Sequence, residues 1–120
     1  MNVLIVESRR ALAQLWKRHV QRLGAHVTLA ATQSDAIACL ADQEFEVVIL
    51  DLVLGEGSAL AVSDFASYRW PNARVIFVTN TTFFSDGSIF QHCANACAYM
   101  PSATKPEDLA AMVEHYARAS

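Results

Sequence analysis

Short apolar runs alternate along this chain with longer stretches whose apolar residues recur at helical spacing. Val3-Leu4-Ile5-Val6, Val47-Val48-Ile49-Leu50 and Val75-Ile76-Phe77-Val78 are each four consecutive apolar residues. Runs of this kind predict strands buried on both faces, the mark of a parallel sheet. His26 to Ala30 and the short Ala98-Tyr99-Met100 predict two more strands. Between them, Arg10 to Leu23 carries Leu12, Leu15, Trp16, Val20 and Leu23 on one helical stripe, with Gly24 as its stop and Trp16 as core. Ser34 is placed to cap a helix bearing Ile37 and Leu40, and Ser58 to Tyr68 forms another with Leu60, Val62 and Phe65. A turn at Pro71-Asn72 follows, and Ser85 to Ala94 predicts a weaker helix. Thr104 opens the last helix, where Glu107 completes a T-x-x-E capping box and Leu109, Met112, Val113 and Tyr116 form the buried side.

Strands separated by helical stretches of this length imply βαβ units, and so a parallel sheet with helices on both sides. The expectation is one three-layer α/β/α domain over residues 1–120 with a five-stranded parallel sheet. No linker, repeat or low-complexity segment interrupts it.

Composition narrows the class. A net charge of −3 argues against a surface built for nucleic-acid backbone. No apolar stretch approaches the roughly 18 residues a membrane span needs. The first residues run straight into a strand-like segment, without a basic region or a cleavage site. Cys39, Cys93 and Cys97 are an odd number without disulfide-framework spacing, so a reducing, cytoplasmic setting is expected. Hydrophobic residues at 53% against 18% charged leave room on the surface for an apolar contact patch.

Chemistry enters where the apolar runs stop. The first, third and fourth end on Glu7, Asp51 and Thr79, so two acids and a hydroxyl should meet at the carboxyl edge of the sheet. That edge is where open α/β sheets gather ligands. From the two acids alone, a pair of solvated loop carboxylates is the plainer reading. With the hydroxyl, the set suits phosphoryl transfer. A carboxylate oxygen is the nucleophile, a divalent cation offsets phosphoryl charge, and a hydroxyl donates to a phosphoryl oxygen.

At this point the chain resembles the response-regulator receiver family, the phosphoacceptor domains of two-component signalling, in its chemotaxis-type single-domain form. The resemblance rests on Val3 to Glu7, Val48 to Leu54, Val75 to Thr79, Ala98 to Met100 and the spacing from there to Pro106-Glu107-Asp108-Leu109. It implies a (βα)5 flavodoxin-like topology and a non-enzymatic signalling role. Asp51 falls at the phosphoacceptor position, receiving a phosphoryl group from a histidine kinase or phosphotransfer protein. Mg²⁺ would be held by Glu7, Asp51 and the backbone carbonyl of Val53. Thr79 matches the switch hydroxyl and Tyr99 the switch aromatic. Phe83, Phe84 and Tyr99 mark a candidate face for a downstream protein target, with homodimerisation left open.

The departures are as informative. Ser8 replaces the family's second acid, and Ser102 its phosphate-pairing lysine; Asn80 replaces the small residue after the hydroxyl. Gly55 stands where a proline is common and Ala59 where a glycine is. A neutral hydroxyl is a poor Mg²⁺ ligand, so the cation should bind weakly. Lys105-Pro106 resembles the family's lysine-proline pair but lies three residues late, and Ser102-Ala103 takes its place with an expected trans bond. An alternative reading is therefore a degenerate receiver that acts by protein binding alone. In that reading Arg9 or Arg10 brings a guanidinium to Asp51 in the metal's place, against the plainer one of a solvated helix start.

Other classes fit less well. A flavodoxin-like electron carrier needs a hydroxyl- and glycine-rich loop where Glu7-Ser8-Arg9-Arg10 stands, and a dinucleotide enzyme needs G-x-G-x-x-G. An aspartyl phosphohydrolase would carry an acid at Val53. His92, Cys93 and Cys97 lack the partners of a metal site and read as packing residues with an exposed histidine.

Overall fold

The computed structural model describes residues 1–79 and 96–119. Its elements in chain order are β1 (Asn2–Val6), α1 (Arg10–Gln21), β2 (His26–Ala30), α2 (Gln33–Asp42), β3 (Val47–Asp51), α3 (Ala59–Arg69), β4 (Arg74–Thr79), β5 (Ala96–Pro101) and α4 (Pro106–Ala119). The helix expected over Ser85 to Ala94 lies outside the described residues, as do Asn80, Phe83, Phe84, His92 and Cys93. Among the described residues no helix is long and apolar enough to cross a membrane.

All strand pairings are parallel, in the order β2-β1-β3-β4-β5. The apolar runs are central because they cover both sheet faces: Val3 to Val6, Val47 to Leu50 and Val75 to Val78 are all buried. Alternation splits them between two cores. Leu4, Val6, Val48, Leu50, Val75 and Phe77 pack with Ala36, Leu40, Val62 and Ala66 of α2 and α3. Val3, Ile5, Val47, Ile49, Ile76 and Val78 pack with Trp16, Val20, Leu109 and Val113 of α1 and α4. Three α/β/α layers result, and the chain's order of strands reverses at β1. Its carboxyl end therefore opens into the crevice where such sheets place their chemistry.

Helix boundaries differ from the sequence expectation in several places, each for a local reason. Thr32, not Ser34, caps α2: its extended backbone (φ −133°) lets the hydroxyl accept from the Asp35 amide at 3.1 Å. Helix α1 stops at Gln21, short of Leu23, and the chain leaves through Gly24 at φ +86°, a conformation glycine adopts without penalty. Helix α4 starts from Lys105 and not from a Thr104–Glu107 box. The Lys105 carbonyl accepts from the Asp108 and Leu109 amides, and Pro106 takes the first helical position, where its missing N–H costs nothing. Ser58, expected as the first residue of the next helix, caps α3 instead, its hydroxyl accepting from the Ala61 amide.

The loop after β3 is tied to the start of α2. Ser58 donates its amide to Gln33 Oε1 at 2.7 Å, and the Gln33 amide donates to the Glu56 carbonyl. Gly57 sits at φ +93° against Gln33, and a Cβ there would run into that side chain. The segment carrying Val53 and Gly55 is thereby held beside the carboxyl end of β1.

Candidate functional site

Glu7 follows the last residue of β1 and Asp51 is the last residue of β3, on adjacent strands. Both are buried, 2% and 4% exposed. Two carboxylates so close to an apolar core need positive charge or donors. They find one guanidinium. Arg9 Nε donates to Glu7 Oε1 at 2.6 Å, and Nη2 lies 3.3 Å from Asp51 Oδ2. The same Nη2 reaches Ser102 Oγ at 3.4 Å, just past the end of β5.

Local geometry selects Arg9 over Arg10. Arg9 is the residue before α1, with an extended backbone (φ −82°, ψ 101°), and its own amide also donates to Glu7 Oε1 at 3.2 Å. Its side chain consequently runs back over the sheet edge. Arg10, inside the helix, lines a neighbouring cavity with Glu7, Ser8, Gln14, Leu29 and Asp35. The first turn of α1 holds no acid, so Glu7 also provides the negative charge that a helix N-terminus favours. Arg9 sits over the pocket half in water, its side chain 48% exposed.

Asp51 is held from a second side as well: the Val53 amide donates to its Oδ1 at 2.9 Å. Each Asp51 oxygen therefore has a donor within the chain. Glu7 is less well satisfied, since its Oε2 is buried without a hydrogen-bond partner among the described residues. Burial, and then the neighbouring Asp51 carboxylate, push the Glu7 carboxyl up to about 7 against the opposing pull of Arg9. Near neutral pH Glu7 is thus partly protonated, and as an acid it can donate to Asp51. Arg9, hydrogen-bonded to Glu7, is held even more firmly in its charged form.

The residues expected at this site are arranged as follows. Ser8, Arg9, Asp51, Val53 and Gly55 line a cavity of about 230 Å³. Val53 stands 60% exposed at its edge. Thr79, the last residue of β4, is buried and lies one step beyond Val78, the register partner of Asp51. The Thr79 carbonyl accepts from the Ser102 amide at 2.8 Å, linking β4 to the loop after β5. Tyr99 pairs with Phe77 and packs half-buried against the α2/α3 core. Lys105 is exposed, with its carbonyl engaged at the start of α4. There is no cis peptide among the described residues, so Ser102-Ala103 is trans as expected. The raised carboxyl of Glu7 is not part of the sequence expectation. Its signal is the pairing of two strand-end acids with a neutral residue at position 8.

The donor set fits Mg²⁺ poorly. That ion demands near-octahedral oxygen ligands at about 2.0–2.1 Å. Here the facing oxygens of Glu7 and Asp51 already accept from a guanidinium, the other Asp51 oxygen accepts from an amide, and Ser8 brings no charge. Among the described residues no group of three or more His, Cys, Asp or Glu converges to hold a metal.

Comparison with known proteins places this chain in a family. The sequence model of the response regulator receiver domain matches residues 3–116. No curated protein sequence matches significantly. Among solved structures, the fold is similar to a CheY-like receiver domain protein from Methanospirillum hungatei (TM-score 0.88, 24% identity, 98% of this chain and 94% of that one). It is similar to the receiver domain of NtrX from Brucella abortus (TM-score 0.87, 20% identity, 98% and 99% covered). It also resembles a response regulator protein from Burkholderia pseudomallei with a phosphorylated aspartic acid, calcium ion and citrate (TM-score 0.79, 22% identity, 95% and 71% covered). The chain belongs to the response regulator receiver domain family of two-component signalling.

Proposed function

We propose that this chain is a receiver module that signals by docking protein partners while Asp51 is held in an internal ion pair, without Mg²⁺-dependent aspartyl phosphorylation. The observation that carries this reading is that both Asp51 oxygens already have donors, Val53 N–H at 2.9 Å and Arg9 Nη2 at 3.3 Å. Donation from a guanidinium and an amide draws charge from the carboxylate and makes it a weaker nucleophile toward phosphorus. Neither Ser8 nor Ser102 itself carries a charge to bind the metal or pair with the phosphoryl group. The partners are those a receiver implies: a histidine kinase or phosphotransfer protein on one side and a downstream effector on the other. Tyr99 belongs to the contact face in this reading, with Phe83 and Phe84 from the segment outside the described residues.

The second reading, phosphoryl acceptance on Asp51 with Thr79 and Tyr99 as the switch, has one observation in its favour. Asp51, Thr79 and Tyr99 end or lie on β3, β4 and β5 in a register that puts the hydroxyl next to the acid's strand partner. Intact mass after incubation with a small-molecule phosphodonor and Mg²⁺ separates the two. The expected result is an unchanged mass for the wild type and for Asp51→Ala. A gain of about 80 Da, absent in Asp51→Ala, would instead establish a working phosphoacceptor.

A further inference from the structure

Arg9 touches more than Asp51. Its Nε is on Glu7 Oε1 at 2.6 Å, and its Nη2 is within 3.3 Å of Asp51 Oδ2 and 3.4 Å of Ser102 Oγ. One side chain thus spans the carboxyl ends of β1, β3 and β5. Glu7 and Asp51 are the acids that would carry a divalent cation, and Ser102 stands at the position of the absent lysine. We propose that Arg9 is a tethered cation that replaces both, so that the acidic pocket excludes divalent ions by intramolecular competition. The inference deepens the functional reading above and rests on its account of Asp51.

Three features make the competition one-sided. A divalent ion would have to compete with the guanidinium at both acids, because Arg9 already engages one oxygen of Glu7 and one of Asp51. The guanidinium is delivered by its own chain, two residues from Glu7, so its effective concentration at the acids exceeds that of a free ion. Its backbone amide also donates to Glu7 Oε1, which fixes the side chain's point of departure. Ser8 is consistent with this arrangement: a third acid would add to the negative charge already shared by two carboxylates and one guanidinium. Arg9 is also suited to the role by chemistry, since a planar fork reaches three oxygens where an ammonium would reach one region of space.

The test is a titration of the intact chain with MgCl₂, and separately MnCl₂, read by calorimetry and by paramagnetic broadening, in the wild type, Arg9→Ala, Arg9→Gln and the double variant Ser8→Asp with Arg9→Ala. No phosphodonor is present, so the outcome is independent of whether Asp51 accepts a phosphoryl group. The wild type is expected not to saturate at tens of millimolar. Removing the guanidinium should tighten binding by about tenfold or more, and adding the carboxylate through Ser8→Asp should tighten it again. Arg9→Gln, neutral and of similar reach, keeps the test intact if Arg9→Ala folds poorly. Broadening by Mn²⁺ should appear at residues flanking Glu7 and Asp51 in the variants only. Wild-type binding as tight as that of Arg9→Ala and Arg9→Gln would overturn the proposal.

Discussion

Trp16→Ala is expected to destabilise the fold by about 3–5 kcal/mol, while Trp16→Phe should cost far less. Trp16 is 1% exposed and packs under α1 against Val3, Ile5, Val47 and Ile49, the strand residues leading to Glu7 and Asp51. Alanine leaves a cavity where an indole stood, and a close-packed sheet face relaxes only in part. The indole has its own cost, because Trp16 Nε1 is buried with no hydrogen-bond partner among the described residues. Phenylalanine removes that orphan donor, worth about 1–3 kcal/mol, and so offsets much of the volume it loses. Urea denaturation followed by circular dichroism measures both variants without relying on the fluorophore being changed. Similar losses for the two would show that the N–H is satisfied and that volume alone decides. Since α1 begins directly after Arg9, the alanine variant should also weaken the Arg9 contacts.

The second large effect belongs to Glu7 and concerns pH. Its carboxyl is raised from 4.5 to about 7 in the folded chain, chiefly by burial and then by Asp51. An acid raised on folding binds more protons in the native state than in the unfolded one between those values. Stability from this group is therefore fully present below the unfolded value and falls as pH rises toward 7. The loss across that window is about 3 kcal/mol. Glu7→Gln copies the protonated form: its amide can donate toward Asp51, and its carbonyl can accept from Arg9. The variant should come within about 1 kcal/mol of the wild type near pH 5 and exceed it by about 3 kcal/mol at pH 8, on the order of 10 °C in melting temperature. Parallel curves for the two proteins from pH 5 to 8 would show that Glu7 is ionised throughout.

Particular residues show how far the sequence could be read. The three four-residue apolar runs stated their burial on both faces, and with it the parallel sheet and its two helical layers, because no half-exposed strand is apolar at every position. The acids at 7 and 51 were legible for the same reason: each is the first polar residue after such a run. Caps were harder. Thr32 and Ser34 are both good capping residues two positions apart, and only the backbone angle at Thr32 decides between them. At the last helix, Pro106 prevailed over Thr104 because its ring presets the first turn. The choice between Arg9 and Arg10 was likewise invisible, since it depends on which of them precedes the helix. The raised Glu7 carboxyl lay furthest out of reach. It arises from burial and from a second buried acid alongside, a property of spacing between strands and not along the chain.

Everything proposed for the pocket depends on Arg9 holding Asp51. The Hε–Nε correlations of the seven arginines read the Glu7 half of that bridge directly and the Asp51 half through its effect on the same guanidinium, with Arg9 assigned by its disappearance in Arg9→Lys. The Arg9 Hε, donating to buried Glu7, should exchange slowly with water at neutral pH despite a half-exposed side chain, and its resonance should move on Asp51→Asn as well as on Glu7→Gln. An Arg9 Hε that exchanges as fast as an exposed arginine's and ignores Asp51→Asn would contradict the internal ion pair, leaving Asp51 open to a metal ion and a phosphodonor.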